Sequence, residues 1–188
     1  MKKIALYTLL LSFLSVMPAH ANGLQQADID HLISSTPVIL DIVAKMGGKL
    51  SKDEKKKMQM GAFEGKPYTT MANLLADTPS INTLDTTSQE AGYKNFNAYA
   101  KMADRAVSVI MSAQWVAKTS RELKGNPEKV TNLFEYMKNE TTPVDKHQKL
   151  EQQLASMRSR MGVKVEDQYI VAQHYDELAS VFKLSRKK

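Results

Sequence analysis

Cysteine is absent from the 188 residues, so no disulfide staples the chain, no thiolate serves as a nucleophile, and no residue after the N-terminal apolar run can take a lipid. Aromatic residues make up 7%, with one Trp, and no dense basic stripe interleaves with them, which excludes the usual footprint of a nucleic-acid-binding surface. There is no Gly-rich phosphate loop after a strand, no Gly-x-Ser-x-Gly elbow and no His-Glu-x-x-His pair. Without a recognisable constellation the chain is read as non-enzymatic, with no catalytic residue, no cofactor and no metal. Sustained apolar/polar alternation is missing as well, and so is hairpin turn chemistry, which argues against strands.

What is present begins with MKKIALYTLLLSFLSVMPAHA. Lys2 and Lys3 give a charged start, residues 4 to 17 are apolar apart from hydroxyl interruptions, and Ala19-His20-Ala21 places small residues where a signal peptidase reads. The pattern predicts cleavage after Ala21, export to the periplasm, and one soluble domain over residues 22–188. The run is shorter than the roughly 20 apolar residues that span a bilayer, so no transmembrane segment is expected after cleavage. The formal charge is +6 and includes Lys2 and Lys3, so the exported domain keeps a modest basic excess compatible with a mixed soluble surface or with anionic envelope groups.

Apolar spacing of three and four predicts an all-α fold, a single irregular bundle of six or seven helices around a long central helix at about 95–124. A first helix begins near Gln26 or Asp28. Pro37 lacks an amide hydrogen and is expected to break or kink it, so that ILDIVAKM continues as a second segment. Ser51 to Glu54 has the capping-box form and opens a helix to about Phe63. A short helix follows around Thr70 to Ala76. Residues 77–91, DTPSINTLDTTSQEA, are the least periodic stretch and are expected to form a loose connection. Asn126-Pro127 and Thr142-Pro143 each open a further helix, the second closing on Gly162, and one terminal helix is expected from Val165 to Lys183.

The central helix carries two apolar tracks. Phe96, Tyr99, Ala103, Val107, Ile110 and Ala117 form one; Met102, Ala106, Val109, Ala113 and Val116 form the other. The remaining track runs through Asn97, Lys101, Asp104, Ser108, Ser112, Trp115, Thr119 and Glu122. The only Trp thus falls on the side that ought to be wet, with small Ser112 and Ser108 one and two turns before it. A bulky aromatic beside small residues makes a shelf for a partner, a ligand or another part of the chain. Ser108, Ser112 and Trp115 are therefore the candidate partner-binding residues.

Other chemistry has a plainer explanation. His31, His147 and His174 each have a carboxylate three or four residues away, in Asp28, Glu151 and Glu177, and helix-face pairing accounts for that spacing better than a metal site does. Eleven Met include Met58, Met60, Met157 and Met161; thioethers suit Cu(I), but Met58 and Met60 cannot share a helix face, and core packing explains the rest.

Residues 92–115, GYKNFNAYAKMADRAVSVIMSAQW, resemble the Gly-aromatic entry, capped aromatic start and Ala-Asp-Arg centre of uncharacterised exported all-helical proteins of proteobacteria, and residues 171–182, VAQHYDELASVF, resemble their terminal helix. The resemblance covers about a fifth of the chain. It implies an all-helical periplasmic domain and brings no catalytic residue with it. The expected function is non-catalytic binding of a protein or cell-envelope component. The alternatives are a carrier of a lipid or other apolar ligand held between helices, and a holdase-type periplasmic chaperone, although the Leu-Thr-x-x-Gln repeat of the cradle-forming chaperones is missing.

Overall fold

A computed structural model describes residues 23–47, 50–119 and 148–184. Within them the fold is an all-α bundle of eight helices: α1 (Gln26–Gly47), α2 (Lys52–Phe63), α3 (Pro67–Leu75), α4 (Pro79–Glu90), α5 (Phe96–Thr119), α6 (Gln148–Met161), α7 (Val165–Gln173) and α8 (Tyr175–Val181). The helix expected after Pro127 and the end of the central helix beyond Thr119 lie outside the described residues, as does His147. No described helix is long and apolar enough to cross a membrane.

Helix α5 is the axis. It packs against α1, α3, α4, α6, α7 and α8, while α2 leans on α3. Both apolar tracks are buried except for half-buried Met102, and Ala100, Ala103, Ala106, Ala113 and Ala117 keep the surface of α5 low enough for neighbours to approach from several sides.

Three elements differ from the expectation. Pro37 lies inside a continuous α1, and it is exposed, so the ring and the carbonyl it leaves without a donor sit on the outer side of the helix. The hydroxyls of Ser34 and Ser35 donate to the His31 carbonyl on the preceding turn, at 3.0 and 2.6 Å. Residues 79–90 form a regular helix, not a loose connection. Pro79 takes the first helical position, and Ile81, Leu84 and Ser88 supply a thin inward stripe that tertiary packing makes sufficient. The terminal segment is two helices, broken at His174, whose ring bonds Gln26 across the fold at 2.9 Å and Glu177 at 3.2 Å.

Caps define the other starts. At α2 the Ser51 hydroxyl accepts from the Glu54 amide while the Glu54 carboxylate accepts from the Ser51 amide. At α5 the Asn95 side chain accepts from the Ala98 amide, and Asp85, reaching from α4, accepts from the Phe96 amide at 2.8 Å.

One end of the core is aromatic. Tyr68, Tyr93, Phe96 and Phe182 surround Tyr99 or each other at centroid separations of 5.3 to 5.9 Å, and His31 stacks on Tyr93 at 4.3 Å. The hydroxyls of Tyr93 and Tyr99 are partnered by Ser35 and Thr36 of α1. Burial pushes the Tyr93 phenol up to about 12 and that of Tyr99 further, so both remain donors across the physiological range.

Beside this apolar mass lies one buried ionic clamp. Arg105 of α5 donates from Nε and Nη2 to the two oxygens of Asp167 on α7, at 2.8 and 2.5 Å, and Asp167 also accepts from the Leu24 amide at 2.6 Å. Asp167 is buried, and so are Gly23 and Leu24, which it draws against the bundle. The Asp167→Ala substitution breaks the bidentate pair and leaves the Leu24 amide without its acceptor, so it is expected to destabilise the protein by about 3 kcal/mol. Urea unfolding measures this; Asp41→Ala, which removes the exposed pair with Lys45, should leave the midpoint nearly unmoved.

Candidate binding face around Trp115

The polar track of α5 is wet only at its ends. Asn97, Lys101, Trp115 and Thr119 are exposed, whereas Asp104, Ser108 and Ser112 between them are buried, and Glu122 lies outside the described residues. Each buried polar group has a partner. Ser108 and Ser112 donate to the Arg105 and Val109 carbonyls three residues back, at 3.0 and 2.8 Å. Asp104 does something less local: its two oxygens accept from the amides of Tyr68 and Thr69, at 2.8 and 2.9 Å. Lys66, which precedes α3, offers no side-chain cap, so a carboxylate from the central helix satisfies the open amides of that first turn.

The shelf over Ser108 is filled by the chain itself. Gly65, at φ +74°, turns between α2 and α3, and a Cβ there would fall 2.9 Å from the Ser108 Cβ and 3.0 Å from Met161. Only Gly meets both the left-handed backbone and the close approach. A second glycine, Gly61, lets α2 lie on α3, where a Cβ would overlap the Thr70 side chain.

Of the three candidate residues, Ser108 and Ser112 are thus beneath the surface, 3% and 1% exposed, and Trp115 is on it at 39%. Trp115 forms one wall of an open groove of about 400 Å³ against α6, lined also by Gln152, Gln153, Ser156, Met157 and Arg160. The buried Oε1 of Gln153 has no hydrogen-bond partner among the described residues. Arg160 extends the surface toward α2, with its guanidinium carbon 3.7 Å from the centroid of the Phe63 ring. Phe63 is 39% exposed, and Met60, one turn earlier on the same face, is 53% exposed. Trp115 and Phe63 are therefore joined across the surface by Arg160, and Met60, next to Phe63 on α2, borders the open groove between α2 and α3.

Sequence patterning alone does not single out Arg160, Phe63 or Met60. The one local signal for them is α2 itself, a twelve-residue helix with a run of three Lys whose only fully buried residue is Gly61, so its apolar side chains are at most half-buried. The pairing of Phe63 with Arg160 joins residues 97 positions apart and has no local trace.

The two described histidines, His31 and His174, do not converge. His31 bonds the Ala91 carbonyl at 2.5 Å and stacks on Tyr93, while Asp28, instead of pairing with it, accepts from the Gln25 amide at the start of α1. Among the described residues no group of three or more His, Asp or Glu is placed to hold a metal ion. Met157 and Met161 are buried in the core, Met58 borders an apolar groove beside α1, and Met60 faces solvent.

No protein-family model, curated protein or solved structure matches the chain. The surface chemistry is therefore what bears on function.

Burial raises the Asp104 pKa above its ordinary 3.8, against the opposing pull of its bonds from Thr69 and Tyr68. A raised carboxyl binds its proton more tightly in the folded state. Its contribution to stability is greatest below pH 3.8 and declines as pH climbs through the raised value. The Asn of Asp104→Asn does not titrate, so the stability advantage of the native protein over this variant should be largest near pH ~3.5 and smaller at pH ~7. Urea unfolding of both proteins across that range measures the gap.

Proposed function

We propose that the chain is exported, loses residues 1–21 and acts in the periplasm as a non-catalytic helical domain that binds a protein of the cell envelope. The recognition surface is the strip of Trp115, Arg160, Phe63 and Met60. Ser108 supports it from below, because its small side chain admits the Gly65 turn that sets the end of α2, and with it Phe63, close to α6, while Ser112 is buried on the same track. The N-terminal tripartite pattern supports export, and the resemblance of residues 92–115 and 171–182 to exported helical proteins agrees with it.

One observation carries the binding assignment: Trp115, Phe63 and Met60 stay exposed together, with an Arg among them, in a chain whose other large apolar residues, Val38 and Val165 apart, are at least half-buried wherever they are described. Trp and Arg dominate the energetics of protein interfaces, and Met is enriched there. Rigid backing by α5 and α6 lowers the ordering cost of such a surface on binding.

A photo-cross-linking amino acid placed at Trp115 or at Phe63 in living cells should give one discrete protein adduct common to both positions. The same residue at Asn82, exposed on α4 away from the strip, should give none. No adduct at 115 and 63, or the same pattern from all three positions, contradicts the assignment.

A further inference from the structure

A second groove, separate from the Trp115 strip, opens where α1, α2, α3 and the end of α8 meet. Its volume is about 290 Å³, and its walls are apolar: Leu40 and Val43 from α1, Met58 from α2, Met71 from α3 and Phe182 from the chain's return. Two Met give the walls side chains that adapt to an irregular occupant. No carboxylate is among the lining residues, and the one charge is Lys183. Asp41, which feels the Lys183 charge, is already paired with Lys45 at 2.6 Å, so the two Lys leave this end of the groove with an excess of positive charge over that acid.

The backbone at Lys183 is unusual. After α8 the Leu184 amide donates to the Ala179 carbonyl at 2.8 Å and the Lys183 amide to the Ser180 carbonyl at 3.0 Å, the double-bonded helix stop in which Gly normally occupies the left-handed position. Here Lys occupies it at φ 56°, the only described non-Gly residue with positive φ. A long cation held in a conformation that disfavours it points to a use for the side chain. Tyr68 also borders the groove; its hydroxyl makes no hydrogen bond to a described residue, and burial keeps the phenol protonated as a donor.

We infer that this groove binds a single-chain acyl carboxylate, with the hydrocarbon against Val43, Met58, Met71 and Phe182 and the carboxylate at the Lys183 ammonium. The volume lies near the lower end of small-molecule sites, which suits one medium-length chain and not a two-chain lipid.

Calorimetric titration of the purified exported chain tests it with sodium decanoate, decanol and decylammonium chloride. Decanoate should bind saturably at one site, decanol about fivefold more weakly, the range of one exposed ion pair, and decylammonium not at all. Lys183→Gln should bring decanoate down to the decanol level and leave decanol unchanged. Met71→Trp, or Val43→Trp from the opposite wall, should abolish binding of both while thermal melting stays cooperative. Four results would overturn the inference: absence of saturable decanoate binding, equal binding of decylammonium, insensitivity to Lys183→Gln, or association with two-chain anionic phospholipid vesicles but not with decanoate.

Discussion

Two consecutive polar residues in the middle of a buried helix set the terms for this fold. Asp104 and Arg105 lie halfway along α5, where a charge without a partner would cost several kcal/mol. They do not pair with each other. Asp104 turns toward α3 and accepts two amides of its first turn, while Arg105 turns toward α7 and grips both oxygens of Asp167, which in turn holds the Leu24 amide. The central helix thereby specifies where three other segments begin or lie. Apolar packing supplies the larger share of the stabilisation, with roughly 1.5–3 kcal/mol for each large side chain such as Phe96 or Ile110 taken out of water, but such contacts tolerate sliding. A bidentate ion pair and a two-amide cap do not, so they fix register where Ala-rich surfaces leave it loose.

The same helix explains why the surface lead is narrow. The polar track that starts at Asn97 dips under the Gly65 turn at Ser108 and emerges at Trp115 and Thr119. The turn that buries Ser108 also sets the C-terminal end of α2 close to α6, where Phe63 lies under the Arg160 guanidinium. The proposed recognition strip therefore forms where the end of α2 and its Gly65 turn come close to α6 over the small Ser108. Its aromatic ends belong to different parts of the chain, Phe63 to α2 and Trp115 to α5, and Arg160 of α6 bridges them.

Features that depend on local chemistry are legible in the amino-acid sequence alone. The capping box at Ser51, the Asn95 cap and both apolar tracks of α5 all rest on residues within a few positions of one another. Helix α4 is not legible in this way, because its inward stripe is thin and its composition polar, and only the walls of α1 and α5 make the helical state favourable. Nor is the continuity of α1 through Pro37, since a proline is tolerated when its bare carbonyl faces outward, which the fold decides. Ser108 and Ser112 do share one track with Trp115, as their spacing indicates. Whether a track is wet depends on what packs over it, and the Gly65 turn that covers its middle lies 43 residues from Ser108. The Asp104 cap and the Asp167 clamp span 36 and 62 positions and leave no periodic signal.

The claim that α5 organises the bundle through these two polar side chains is most directly tested by native-state amide hydrogen exchange, read by nuclear magnetic resonance at the amides of Leu24, Tyr68 and Thr69. All three lie at the start of a segment or a helix, where amides ordinarily exchange through local fraying with little protection. The account predicts that they exchange as slowly as the core amides of α5, at a free energy close to that of global unfolding. Exchange at fraying rates, with the α5 core still protected, would show that the clamps are incidental and that apolar packing alone holds α3 and the N-terminal segment in place.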